Sequence, residues 1–173
     1  MLPKLSLILG GAASGKSAFS EGMIMASRQP RIYIATAQAF DDEMRRKVQK
    51  HLIQRGPDWR TIEAPLNTAD VLKDLPADAV VLLDCATMWL SNQMLAENDL
   101  ASEQAKLLEA LEACPAHVVV VSNEVGLDVV PENDLARRFR DAQGTLNQAI
   151  AKRATLAVFV VAGLPMVLKG ELP

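Results

Sequence analysis

Leu5-Ser6-Leu7-Ile8-Leu9-Gly10-Gly11-Ala12-Ala13-Ser14-Gly15-Lys16-Ser17 is the stretch that decides the fold. Residues 5–9 are an uninterrupted apolar run, the pattern of a strand buried on both faces. Residues 10–17 satisfy GxxxxGK[ST], and residues 16–27 read as a helix. Strand, glycine loop and helix in that order form the context in which this pattern is a P-loop. Gly10 and Gly15 let the backbone wrap closely around phosphate oxygens with several N–H groups turned inward. Gly11, Ala12, Ala13 and Ser14 contribute those N–H groups, and the helix start adds its dipole. Lys16 reaches the β- and γ-phosphates, and the Ser17 hydroxyl is offered to Mg²⁺. The competing reading is a chance glycine-rich turn, which does not require a strand before it and a helix after it.

Outward from this loop, similar apolar runs occupy residues 31–35, 79–83, 118–121 and 156–161. Helix-like stretches lie between them at 42–54, 102–113 and 133–153, with loops expected at 55–58, 75–78 and 123–133. Alternating strands and helices predict an α/β fold, a three-layer P-loop NTPase (RecA-like) domain with a mainly parallel central sheet. There is no internal repeat, low-complexity tract or long linker, so residues 1–173 are expected to form one P-loop nucleotide-binding domain.

Composition narrows the function classes. Half of the 173 residues are apolar, 23% are charged and the net charge is −3. That balance is globular and carries no electrostatic footprint for nucleic acid or an anionic membrane. No apolar run approaches the length of a membrane span, and the N-terminal run ends in a glycine turn, so a cytoplasmic protein is expected. Cys85 and Cys114 sit in or near apolar runs and are expected to be buried free thiols, since no CxxC or Cys/His cluster suggests a metal.

A Mg²⁺ site beside a P-loop needs a carboxylate at a neighbouring strand end. Asp84, after Val80-Val81-Leu82-Leu83, is placed like a Walker-B aspartate, although a strand-end aspartate can also simply start a turn. Glu124, after residues 118–122, is the second candidate, and a parallel sheet gathers both strand ends on the P-loop edge. Asn123-Glu124-Val125-Gly126 reads either as a loop touching substrate or metal, or as an Asx turn. Arg137, Arg138 and Arg140 either neutralise phosphate or solvate a helix.

The chain has two histidines. His117 opens an apolar strand and reads as a partly buried structural residue. His51 sits in a helix running from acidic to basic, Asp41-Asp42-Glu43 to Arg45-Arg46-Lys47, a charge order that also suits a plain solvated face. Chemistry offers another use: an imidazole attacks phosphorus and leaves readily from a phosphoramidate. Both readings of His51 stand on the residues alone.

Taken together these residues resemble the bifunctional adenosylcobinamide kinase/adenosylcobinamide-phosphate guanylyltransferase family of cobalamin biosynthesis. The resemblance runs from Leu5 to Lys169. It includes GGAASGKS at 10–17, YIATAQ at 33–38, DDEM at 41–44, WRT at 59–61 and LLDC at 82–85. SNEVGLDVVPEN at 122–133, LARRFRD at 135–141 and LNQ at 146–148 are its most distinctive parts. The resemblance implies phosphorylation of adenosylcobinamide with ATP or GTP, then GMP transfer from GTP to the new phosphate, with Mg²⁺. It implies that His51 carries the GMP. GTP contacts would fall on residues 10–17, on Ala35, Thr36 and Ala37, on Leu52, Ile53, Gln54 and Arg55, and on Glu63 and Asp84. A corrinoid substrate and a homotrimer follow from the family as well.

Two departures stand out. The family P-loop commonly reads GGARSGKS, so Ala13 replaces an arginine; binding through backbone N–H groups is expected to survive. Some relatives carry adjacent histidines where this chain has Lys50-His51. Other function classes remain open: a monofunctional small-molecule P-loop kinase, or a GTP-sensing regulatory module, although no guanine-reading NKxD motif is present.

Overall fold

The computed structural model describes residues 2–38 and 58–173. In chain order these form β1 (Leu5–Gly10), α1 (Lys16–Met25), β2 (Arg31–Ala35), β3 (Trp59–Glu63), α2 (Thr68–Lys73) and β4 (Val80–Asp84). They continue as α3 (Ala86–Leu95), α4 (Leu100–Ala113), β5 (His117–Asn123), α5 (Asp134–Arg153), β6 (Leu156–Val161) and β7 (Leu164–Lys169). The helix expected over residues 42–54, with His51 and residues 52–55, lies outside the described residues.

One sheet carries these strands in the order β3-β2-β4-β5-β1-β6-β7. Every neighbouring pair is parallel except β6 and β7. That last pair is a hairpin whose turn residues, Ala162 and Gly163, have φ of 52° and 77°. Positive φ at both central residues is what a type I′ turn needs to match the strand twist.

Alternation along the buried strands divides the core in two. Leu7, Ile34, Val81, Leu83, Val118 and Val120 face α2 to α5, meeting Leu72, Leu90, Leu107, Leu146 and Ile150. Ile8, Tyr33, Leu82, Val119, Val121 and Val158 face the other way and pack on Met23 and Ile24 of α1. Helices therefore cover both faces, which is the three-layer α/β arrangement expected from the continuous apolar runs.

Four elements had no clear sequence signal. α3 (ATMWLSNQML) buries Ala86, Thr87, Trp89, Leu90, Asn92 and Gln93, so it lacks the polar face by which a surface helix is recognised. α2 is only six residues long. β3 is an edge strand with a half-exposed pattern, and β7 is exposed along its whole length. α5 begins at Asp134 because the Asn133 side chain caps it, accepting from the Ala136 N–H at 2.7 Å.

His117 is half-buried, with its Nδ1–H donating to the Pro3 carbonyl at 3.2 Å, the structural role expected of it. Both cysteines are buried and free. Burial, reinforced by the Asp84 charge, pushes the Cys85 thiol up to about 11 from 9.0. The folded protein thus holds this proton where the unfolded chain has lost it. Its contribution to stability is complete below about pH 9 and is lost as pH rises towards about 11, at roughly 1.4 kcal/mol per pH unit. Urea midpoints should fall across that window, and less steeply in Cys85→Ala; an equal fall in both proteins would contradict this assignment.

Candidate nucleotide site

The carboxyl ends of the parallel strands form one edge, and the register says which residues share it. Gly10 pairs with Asn123 and with Val160, Asp84 with Val121 and Ala35, and Ala35 with Glu63. By the two-residue alternation, Glu63, Ala35, Asp84, Asn123 and Gly10 all belong to the α1 side of the sheet. Strands lie about 4.8 Å apart, so Asp84 stands about 10 Å across from the P-loop strand and Glu63 about 19 Å.

The P-loop is a tight cradle. A Cβ on Gly10 would collide with the Ser14 hydroxyl and come within 2.8 Å of the Val160 carbonyl oxygen. Gly15 has φ of 93°, and a Cβ there would sit 2.9 Å from Gly163 Cα. The β6–β7 turn also grips the loop directly: the Gly163 N–H donates to the Ser14 carbonyl at 2.8 Å. Nothing in the local sequence announces this contact, since 149 positions separate the partners (163 minus 14). Lys16 reaches back across the loop, its Nζ donating to the Gly11 carbonyl at 3.0 Å.

These residues fit a nucleotide phosphate. Among the described residues Ser14 Oγ is buried without a hydrogen-bond partner, and a phosphate oxygen is the acceptor it lacks. Gly15 and Lys16 open α1, so the cradle meets a helix N-terminus. The Asp84 carboxylate is half-buried, and its Oδ2 accepts from the Tyr33 hydroxyl at 3.1 Å. Among the described residues no three His, Cys, Asp or Glu side chains gather to hold a metal. A hard cation here would therefore be held by Ser17 and Asp84 oxygens together with phosphate oxygens and water.

Thr36 and its neighbours serve the edge from within. Thr36 is fully buried, and its Oγ1 both donates to the Cys85 carbonyl and accepts from the Cys85 N–H, each at 2.8 Å. Its carbonyl accepts from Asn92 Nδ2 at 2.7 Å and its N–H donates to Asp84 O at 3.3 Å. Thr36 therefore ties the end of β2 to the turn after Asp84. Ala35 and Ala37 flank it half-buried, and Glu63 is exposed at the end of β3.

Glu124 continues β5, its N–H donating to the Gly10 carbonyl at 3.1 Å. Its carboxylate accepts from the Gly126 N–H at 2.6 Å, and it lines a hollow of about 390 Å³ beside Gly11, Ala12, Ala13 and Ser14. Arg137 turns back onto its own loop, donating to the carbonyls of Pro131 and Glu132 at 3.0 and 2.6 Å.

Ala13 adopts φ of 55°, a left-handed conformation that costs a residue with a Cβ about 1–2 kcal/mol. Its side chain is exposed. Ala13→Gly should raise Tm by about 2 °C once the greater freedom of glycine in the unfolded chain is subtracted, with GTP affinity preserved. A lower Tm would show that the loop is not strained at this position.

A phosphate cradle at the end of a parallel strand, opening a helix, with an acidic strand end two strands away, defines a P-loop nucleotide-binding α/β protein. Solved structures agree on the fold alone. The RadB recombinase superposes with a TM-score of 0.53 at 15% identity, covering 91% of this chain and 74% of that one. An ATPase of the type III secretion system of pathogenic bacteria gives 0.59 at 10% identity, over 96% and 57%. The chain belongs to the cobinamide kinase / cobinamide phosphate guanyltransferase family, whose model matches residues 6–168. It is similar to the bifunctional adenosylcobalamin biosynthesis protein CobP of Pseudomonas aeruginosa, 48% identical over 95% of this chain and 97% of that protein. It is also similar to CobU of Salmonella typhimurium, 42% identical over 94% and 98%. It is an enzyme of this family. Among the described residues no helix is long and apolar enough to cross a membrane.

Proposed function

We propose that this enzyme carries out two transfers on one corrinoid substrate in the cytoplasm. In the first, the aminopropanol hydroxyl oxygen of adenosylcobinamide bonds to the γ-phosphorus of ATP or GTP. The bond to the β,γ-bridging oxygen breaks, and the nucleoside diphosphate leaves. In the second, the His51 imidazole attacks the α-phosphorus of GTP and expels pyrophosphate. An oxygen of the new substrate phosphate then displaces the histidine, giving adenosylcobinamide-GDP and free His51.

The observation that carries this reading is the family match across residues 6–168 on a chain whose glycine cradle fits phosphate. Backbone N–H groups of Gly11, Ala12 and Ala13 and the Ser14 hydroxyl bind the phosphates, and Lys16 turns from the Gly11 carbonyl to the β- and γ-oxygens. Ser17 and Asp84 hold Mg²⁺, and Tyr33 orients the Asp84 carboxylate for that task. Bound Mg²⁺ neutralises charge on the phosphates. Residues 52–55, Ala35, Thr36, Ala37 and Glu63 complete the GTP site, Thr36 by anchoring the edge through its buried bonds.

The active form is a homotrimer. Support comes from β7, an edge strand whose Leu164, Met166 and Leu168 are 57–72% exposed. A contiguous apolar strand of this kind on a free sheet edge marks an interface.

The reading is tested by supplying adenosylcobinamide with γ-labelled ATP and, separately, with α-labelled GTP. Label should enter the corrinoid first from the γ-position and then from the α-position with release of pyrophosphate. γ-Label alone would leave a monofunctional kinase. Bound GTP with no labelled product would leave a sensing module.

A further inference from the structure

β4 ends at Asp84 and the chain turns away at Cys85, whereas β5 runs on to Asn123, two residues beyond the Asp84 level. The backbone groups of Asn123 that face this gap have lost their strand partner. Two helices supply substitutes. Thr87 Oγ1 of α3 accepts from the Asn123 N–H at 2.8 Å, and Asn147 Nδ2 of α5 donates to the Asn123 carbonyl at 3.0 Å.

Behind these contacts lies a buried polar cluster in an otherwise apolar layer. Ser122 Oγ donates to Asn147 Oδ1 at 2.7 Å, and Gln143 Nε2 donates to both Ser122 Oγ and Asn147 Oδ1 at 2.9 Å. Gln143 and Ser122 are fully buried, Asn147 and Thr87 nearly so. Among the described residues Gln143 Oε1 is left without a partner, so the cluster carries a desolvation penalty that aliphatic residues would avoid. What this arrangement delivers is the position of one residue. Asn123 pairs with Gly10 in register, and its side chain belongs to the α1 side of the sheet with Val119 and Val121. It stands between the P-loop strand and Asp84, half-buried, and among the described residues its side-chain amide makes no hydrogen bond.

We propose that Asn123 is a catalytic residue of the phosphoryl transfer. Its side-chain N–H donates to the terminal phosphoryl group of the nucleotide in the P-loop, and Thr87, Ser122, Gln143 and Asn147 are the positioning residues that hold it there. This rests on the kinase reading above. As the acceptor hydroxyl oxygen bonds to the γ-phosphorus, the bond to the β,γ-bridging oxygen breaks and its electron pair stays on the departing diphosphate. The hydroxyl proton passes to solvent water. The Asn123 amide takes part in neither bond; it stabilises charge on the equatorial oxygens, which a pre-positioned donor does without reorganisation. In GMP transfer the bond broken lies at the α-phosphorus, so the same donor matters less.

The test measures both half-reactions in the full-length enzyme, the second with adenosylcobinamide phosphate supplied. Asn123→Ala should lower kinase kcat about 10²-fold with the GTP KM within about 3-fold, and lower guanylyl transfer by less than about 5-fold. Asn123→Asp keeps the shape but puts a charge against the phosphoryl group, so it should harm the kinase step at least as much. Asn147→Leu should reproduce the same kcat-over-KM split at about one-tenth of wild-type kinase rate. Equal loss of both half-reactions in Asn123→Ala, or near-normal kinase activity in Asn123→Asp, would overturn the proposal and leave Asn123 a structural residue. A wild-type enzyme that fails to phosphorylate adenosylcobinamide would instead remove the kinase reading itself.

Discussion

Lys16→Ala loses both half-reactions, the kinase step and guanylyl transfer, each by about 10³-fold or more. The expectation follows from geometry. The Lys16 ammonium spans the loop to the Gly11 carbonyl at 3.0 Å, so it lies over the cradle that the proposed mechanism assigns to both triphosphates. In the proposed mechanism it is the charge that meets the β- and γ-oxygens, whichever phosphorus is attacked. Folding should survive, because the side chain is half-buried and, among the described residues, its one hydrogen bond goes to a loop carbonyl. Parallel assays of both steps on the purified variant, with Tm as the control for folding, provide the check. Guanylyl transfer retained in Lys16→Ala would mean a second nucleotide site, and one P-loop could no longer serve both reactions.

His51→Ala separates what Lys16→Ala joins. If His51 carries GMP as proposed, guanylyl transfer should fall by about 10⁴-fold or more without the imidazole, the scale on which loss of a nucleophile acts. The kinase step, in which the acceptor hydroxyl attacks the γ-phosphorus directly, should stay within about 5-fold of wild type. This chain has no histidine next to His51 to substitute for it, since Lys50 precedes it and Leu52 follows. Equal loss of both steps would assign His51 to binding or positioning.

How much of this was legible in the sequence depends on the distance over which each feature is built. The P-loop was legible because its cradle is made within eight consecutive residues by two glycines with strict demands on φ and space. Asp84 could be placed because four apolar residues end at it, and β5 could be placed for the same reason. Strand order could not be read, so nothing foretold that β5 separates the P-loop strand from Asp84 and carries Asn123 into the gap. The Tyr33–Asp84 bond spans 51 positions and the Thr36–Cys85 pair 49; each is a product of register. The Gln143–Asn147 pair was in principle visible, as two amides four residues apart on the buried face of α5, where aliphatic residues are expected. β7 was not read as a strand because Pro165 lies inside its apolar run, and a proline demotes such a run to an edge strand or to no strand at all.

Covalent labelling is the direct test of the proposal that GMP travels on His51. The pure protein is incubated with Mg²⁺ and GTP labelled at either the α- or the γ-phosphate, denatured, and examined for bound label. Acid-labile, base-stable label is expected from α-labelled GTP only, and none in His51→Ala. Adduct that persists in His51→Ala, or no adduct from either label while bound GTP is confirmed, would contradict it.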